Sequence, residues 1–284
     1  MSKALSWSKH LIVKRGFNIV NQTIRMYKFH ATPFDDIMLR MFEVLDKFDA
    51  NFTYPLTASS GMNHPEMVEI LKSSGNEIAI HGFKHIRYDF LPASKQEEDL
   101  SQAVNVFKEL KIPYSGFRVP YNQYNTITEN LVEKYGFKWD GGIGYRKEHQ
   151  DKNEMFIHTL ESGTKSSYTC IPLSVWSDDY MIDYLYYTPR QIAKKLIKTI
   201  KIALDIHGVV MFDLHPIRIG QKYYLPSINA TLEYCRKNDI WVPNVNEAVE
   251  YWNKHKKWKG DTNACCLLTG DIDNFTFWDY LRRF

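Results

Sequence analysis

The stretch that decides the fold is GNEIAIHGFKH, residues 75–85. Its first half, residues 77–81, is a short run rich in apolar residues bounded by glycines, which is typical of a buried strand. Its second half places His81 and His85 four residues apart, directly after that strand. If the chain turns helically there, both imidazoles face one way and can bind one cation through neutral nitrogens. Two surface histidines near a helix start are the alternative, so the motif needs support from the rest of the chain.

Apolar runs and helical patterns alternate on both sides of this stretch. We expect strands over residues 51–57, 77–81, 114–119, 137–141, 168–175, 209–215, 240–245 and 264–269, with helices over 34–45, 65–72, 95–110, 126–135, 189–205, 227–237 and 246–254. A strand-like segment, residues 24–31, precedes the first helix. This pattern predicts an α/β barrel, and because no linker or repeat divides the chain, a single domain over residues 1–284.

Composition narrows the class of protein further. The chain has 36 Lys+Arg against 33 Asp+Glu, and a net charge of +3 does not indicate nucleic-acid binding. No run approaches the ~20 apolar residues of a membrane helix, and residues 1–14 are too polar for a secretory signal. We therefore expect a cytoplasmic protein without a transmembrane segment. The four cysteines form no CxxC pair, which favours reduced, structural thiols.

Catalytic residues of α/β folds collect at the carboxyl ends of the strands. Four of the predicted strands end in polar residues: HGFKH (81–85), FRVPY (117–121), DLHP (213–216) and TGDID (269–273). We expect the functional site to be built from these four strand ends.

Three of these motifs, together with strand 51–57, resemble those of the polysaccharide deacetylases, also called NodB-homology proteins or carbohydrate esterase family 4. The resemblance covers roughly residues 34 to 245 in family order. It implies a distorted (β/α)7-8 barrel that removes N-acetyl groups from amino sugars. It also implies that His81 and His85 bind a divalent metal, usually zinc, that Arg118 orients the catalytic aspartate, and that His215 is the general acid for the leaving amine.

The chain departs from this family at its first motif, a TFDD that supplies the catalytic base and the third metal ligand. The segment where it belongs, residues 24–31, contains His30 but no carboxylate. Asp35 and Asp36 lie nearby, but the periodicity places them in the first turn of a helix, where acidic side chains favour the macrodipole.

The C-terminal strand offers a replacement. Residues 264–269 run into Asp271 and Asp273, and an apolar pattern at helical spacing follows. A barrel is cyclic, so a permuted chain can supply its first strand from the C-terminus. We predict such a relocation, with Asp271 as the general base and Asp273 as the third metal ligand.

Alternatives remain open for these roles. His30 could complete an all-histidine site with His81 and His85. Asp178 and Asp179, after strand 168–175, could hold substrate or act as the base. Asp271 and Asp273 could instead form a solvated turn that caps the last helix. For substrate binding we predict four residues, with packing as the alternative for the aromatic ones: Tyr121, Trp139, Asp178 and Asp179.

The predicted reaction is hydrolysis of an N-acetylated sugar by a metal-activated water. Because the sequence shows no export signal, we expect an intracellular nucleotide-, lipid- or oligosaccharide-linked precursor of a surface glycan. A non-catalytic carbohydrate-binding barrel that has lost its base is the alternative. Metal-free amide hydrolysis, as in allantoinase-like relatives, is a third possibility that the intact HxxxH motif disfavours.

Overall fold

A computed structural model describes residues 21–142, 152–260 and 262–282. Its strands are β1 (Phe52–Leu56), β2 (Glu77–Ile80), β3 (Gly116–Phe117), β4 (Trp139–Asp140), β5 (Phe156–Thr159), β6 (Lys165–Cys170), β7 (Val209–Asp213), β8 (Ile240–Trp241) and β9 (Ala264–Thr269). Its helices, after a helical segment at residues 21–29, are α1 (Phe34–Lys47), α2 (Ala58–Asn63), α3 (Pro65–Ser73), α4 (Ala93–Glu109), α5 (Thr126–Lys134), α6 (Pro189–Asp205), α7 (Pro216–Ile219), α8 (Pro226–Lys237), α9 (Val245–His255) and α10 (Phe277–Arg282).

The strands form one curled sheet in the order β5-β6-β4-β3-β2-β1-β9-β7, and β8 pairs with the start of β9. All pairs are parallel except the β5–β6 hairpin. A parallel bridge between Leu173 and Met211 brings the chain after β6 against β7, at the opposite end of the strand order. The sheet therefore curls back on itself as a distorted barrel, and the α/β barrel fold predicted from the sequence is confirmed.

The C-terminal strand lies inside the sheet rather than at its edge. β9 is buried along its whole length and pairs in parallel with β7 on one side and with β1 on the other. A further bridge joins Leu56 to Ile272, so the pairing continues into the acidic turn. The carboxyl end of β9 thus lies between those of β1 and β7. This is the placement that the permuted barrel requires.

The strand-like interpretation of residues 24–31 is wrong, because residues 21–29 are helical. Met26 and Phe29 are buried three residues apart, whereas Ile24 and Tyr27 are 49% and 62% exposed. An apolar face at this spacing belongs to a helix. In contrast, α1 begins at Phe34 with both aspartates in its first turn, as predicted.

The core is built from the inner faces of the strands and the apolar faces of the surrounding helices. All four cysteines are buried, and within the part of the chain that the structure describes none of them forms a disulfide. Among the described residues, none of the helices combines the length and the apolar character needed to cross a bilayer.

Candidate active site

His81 directly follows β2 and is completely buried. Its Nδ1 donates a hydrogen bond of 2.8 Å to the backbone carbonyl of Arg118 at the end of the neighbouring strand β3. In the neutral ring this bond fixes the proton on Nδ1, so Nε2 presents its lone pair to the site. Within the described residues, His81 Nε2 has no hydrogen-bond partner.

The turn between the two histidines is held by Asp99, a buried residue of α4 that the sequence motifs do not include. Its carboxylate accepts hydrogen bonds from the backbone N–H of Phe83 (2.8 Å) and of Lys84 (3.2 Å), and from the hydroxyl of Tyr88 (2.7 Å). Gly82 makes this turn possible, since its φ of 74° strains any side chain and an added Cβ would lie 3.0 Å from the Asp99 carboxylate. Asp99 therefore positions the segment that carries both histidines.

The C-terminal acidic turn approaches the same histidines. Asp273 Oδ1 lies 3.5 Å from Nε2 of His81 and 3.5 Å from Nε2 of His85, and Asp271 Oδ2 lies 3.3 Å from Nε2 of His81. The side chains of Asp271 and Asp273 are only 5% and 8% exposed. The alternative of a solvated capping turn does not describe this position.

These distances fit a divalent cation. The ligand atoms of His81, His85 and Asp273 all lie within 4.8 Å of one another. In a tetrahedral site with bonds of about 2.0 Å, neighbouring ligand atoms are separated by roughly 3.3 Å, close to the separations seen here. A lone pair on His81 Nε2 that faces two carboxylates is repelled by them unless a cation or proton lies between. Two imidazole nitrogens and one carboxylate oxygen are a donor set that suits zinc.

Arg118 is fully buried and organises the acidic side of the site. Its Nη1 donates to Asp271 Oδ1 at 3.0 Å and to Asp213 Oδ1 at 3.3 Å, while its Nη2 donates to the hydroxyl of Thr269 at 2.6 Å. Thr269 in turn donates to the carbonyl of Phe212 at 2.6 Å. The guanidinium therefore links the ends of β3, β7 and β9 and fixes the orientation of Asp271.

Asp213 is a third carboxylate at this position, for which the sequence predicted no role. Burial and the negative charge of Asp271 raise the pKa of Asp213 to about 7. The signal was present in the sequence, since Asp213 begins the DLHP motif at the end of β7. Sequence reasoning assigned only the histidine of that motif.

His215 follows β7, and Asp178 orients its ring. Nδ1 of His215 donates to Asp178 Oδ1 at 2.7 Å, and Asp178 is completely buried, so it lies behind His215 and not in the substrate-contacting position predicted for it. Burial lowers the pKa of His215, but the charges of Asp213 and Asp178 and this hydrogen bond outweigh it and raise the pKa well above its usual value. The surroundings of His215 therefore favour the protonated imidazole.

The strand ends open into a cavity of about 270 Å³. Tyr121, Asp179, Asp213, His215, Asp271 and Asp273 are among the residues that line it. Tyr121 is 42% exposed, and the centre of its ring lies 4.1 Å from that of His85. Its backbone φ of 60° is unusual for a residue other than glycine. A strained, partly exposed aromatic residue beside a proposed metal ligand fits a substrate-contacting position.

Two predicted site residues lie elsewhere. Trp139 is completely buried in β4, where its indole packs against Gly116 and its Nε1 donates to Glu77 at 3.0 Å. It therefore cannot stack on a sugar, and its predicted substrate contact is wrong. His30 is a neighbour of the acidic turn rather than a member of the cluster, because its Nε2 donates to Asn274 Oδ1 at 2.8 Å. Burial lowers the pKa of His30 to about 4.

The fold is an α/β barrel, and His81, His85 and Asp273, which could hold a metal ion, lie at the carboxyl ends of its strands. A family model for polysaccharide deacetylase matches residues 22–139. The chain is 25% identical over 132 residues to a peptidoglycan deacetylase of Helicobacter pylori, an alignment that covers 46% of this chain and 43% of that protein. The chain thus spans less than half the length of this curated relative.

Solved structures agree on the fold. A probable polysaccharide deacetylase from Pseudomonas aeruginosa PAO1 superposes with a TM-score of 0.69 at 16% identity, over 83% of this chain and 77% of that one. A protein of the same description from Mycobacterium smegmatis gives a TM-score of 0.68 at 20% identity, over 88% and 87% of the two chains. The family model, the curated relative and these folds thus all resemble polysaccharide deacetylases, in agreement with the resemblance seen in the sequence motifs.

Proposed function

We propose that the protein is a metal-dependent deacetylase that hydrolyses the N-acetyl group of an amino sugar. The observation that carries the proposal is the convergence of His81, His85 and Asp273 on one point, from segments nearly 200 residues apart in the chain. The family-model match and the curated relative support the same reaction class. Zinc is the proposed ion because of the two imidazoles and the carboxylate.

Each residue of the cluster has a role in this proposal. When bound, the divalent ion polarises the amide carbonyl and acidifies the attacking water. Asp271, fixed by Arg118, lies beside His81 and accepts the proton of that water. His215, held by Asp178, donates a proton to the departing nitrogen. Its raised pKa suits that role, because a general acid must be protonated at the start of the reaction.

The substrate within this proposal is an N-acetylated sugar, with nucleotide-, lipid- and oligosaccharide-linked forms as the compounds to screen. The exposed Tyr121 and the carboxylate of Asp179 lie on the cavity wall, where a pyranose ring and its hydroxyls would contact them. Both residues are therefore the proposed substrate contacts.

The test measures acetate release and metal content together. The purified protein is stripped with a chelator, reloaded with zinc and incubated with the substrate panel. We expect zinc-dependent acetate release from the wild type, and neither bound zinc nor activity in His81→Ala. The exposed His255 provides a matched control, because His255→Ala leaves the cluster intact. Wild-type rates in metal-stripped His81→Ala would refute the proposal. Sugar binding without acetate release would instead establish the non-catalytic alternative.

A further inference from the structure

One side of the cavity is formed by elements outside the sequence motifs. Gln22 and Met26 of the helical segment 21–29 line it, as does Tyr184 of the π-helical turn Tyr180–Tyr184. They face the same space as His215 and Asp273. The helical segment 21–29 and the π-helical turn together are called the side wall below.

An ion-pair chain fastens this side wall to the catalytic strand end. Arg25 donates to the backbone carbonyl of Ile182 and to Asp183 Oδ1 at 3.2 Å. The other carboxylate oxygen of Asp183 accepts from Nε of Arg218, 3.0 Å away, in the helix that follows His215. The side chains of Asp183 and Arg218 are only 5% and 9% exposed, so water screens this pair weakly.

Further contacts hold the side wall in place. The guanidinium of Arg25 lies 4.9 Å from the centre of the Tyr186 ring. Met26 is 2% exposed and Phe29 is 9% exposed, so the helical segment is anchored in the core below the cavity. A helix that is both packed and ion-paired is a fixed boundary of the cavity rather than a loose flap.

We propose that the side wall restricts the active site to a single N-acetylated sugar, either free or at the end of a chain. The cavity of about 270 Å³ is below the roughly 300–1,000 Å³ of sites that bury drug-sized ligands. In this proposal it holds one sugar ring with its acetamido group. An internal unit of a polymer needs an open groove on both sides of the reacting sugar, and in this proposal the side wall, through Gln22, Met26 and Tyr184, closes one of them. This inference rests on the proposed deacetylation.

The test compares N-acetylglucosamine with its linear β-1,4-linked tetramer on the zinc-loaded full chain. Acetate release gives kcat/KM, mass spectrometry locates the deacetylated unit, and calorimetry measures binding. We expect the tetramer to lose acetate from a terminal unit only. We also expect kcat/KM for the tetramer to exceed that for the monosaccharide by less than about threefold, because the site binds no further sugar. Deacetylation of internal units, or a gain on the order of tenfold or more, would overturn the inference.

Two variants test the side wall itself. Arg25→Met removes the ion pair and keeps the apolar stem, and should raise the share of acetate released from internal units, because the side wall is then held by its apolar packing alone. Lys28→Met makes the same charge change on an exposed position of the same helical segment and should behave as wild type. An unchanged terminal pattern in folded Arg25→Met would refute a role for the ion-pair chain.

Binding separates this inference from the proposed function. Gln22→Trp narrows the cavity and should abolish binding of the monosaccharide, whether or not the protein releases acetate. Suppose that no acetate is released, that the two sugars bind the wild type equally well, and that Gln22→Trp abolishes binding of both. The proposed deacetylase function is then refuted, and the single-sugar pocket is supported. Undiminished monosaccharide binding to Gln22→Trp, or no binding of either sugar to wild type, would refute the pocket.

Discussion

Replacing Asp99 with alanine should weaken both the fold and the proposed metal site, because Asp99 holds the turn that carries the two histidines. The carboxylate accepts from two backbone amides of the histidine-bearing turn and from the buried hydroxyl of Tyr88. Each donor left without a partner costs about 1 kcal/mol at the lower end of the usual range, because Phe83 and Lys84 are partly accessible to water. We therefore expect Asp99→Ala to lower the free energy of unfolding by about 3 kcal/mol.

The same change should reduce zinc affinity by on the order of tenfold, as is common when a residue that supports metal ligands is removed. Urea unfolding of the apo protein and calorimetric zinc titration measure the two effects separately. Asp89→Ala is the matched control: Asp89 pairs with Arg87 near the surface, so its loss should cost about 0–1 kcal/mol and leave zinc affinity unchanged. Unchanged zinc affinity in a folded Asp99→Ala protein would refute the positioning role.

Three further predictions concern the strand ends. Gly270→Ala should destabilise the protein by at least about 2 kcal/mol in urea unfolding and lower its zinc content, because an added Cβ would lie 1.9 Å from the carbonyl oxygen of Leu214. His215→Ala should retain stoichiometric zinc and lose about 10²–10⁴ in kcat, and loss of the metal would make His215 a ligand instead. The pKa of His30 is lowered to about 4 by burial, so the unfolded chain binds more protons below pH 6.5. Stability should be full above pH 6.5 and fall by up to about 3 kcal/mol towards pH 4, and His30→Asn should flatten that slope in unfolding curves recorded across this range.

The sequence predicts the repeating α/β pattern well, because buried parallel strands and amphipathic helices have distinct periodicities. The bounds predicted for α6 and β9 match the structure. The position of β9 could be predicted because its acidic turn has a chemical purpose only beside the two histidines. The β5–β6 hairpin was not predicted, since β5 is half-exposed and carries no apolar run.

The residues that sequence reasoning missed act through contacts distant in the chain. Asp99 lies on the buried face of α4, between Gln96 and Leu100, and a charged residue on an apolar face was the available signal. Trp139 is the reverse case, a residue that was predicted in the site and lies in the core. Its position at a strand end suggested a groove residue, but only the packing against Gly116 shows that it points into the core. Periodicity identifies which face is buried and does not identify which strand lies opposite.

The position of β9 makes the site depend on both ends of the described chain. β9 is inserted between β1 and β7, and its pairing with β1 joins residues more than 200 positions apart. We expect such long-range pairing to form late in folding, because the entropy of closing a long loop is lost before the contact is gained. The acidic turn follows β9 directly, so the proposed ligands come together only after this last strand has inserted. A cation that binds the completed cluster therefore stabilises the inserted strand, which couples metal affinity to closure of the barrel.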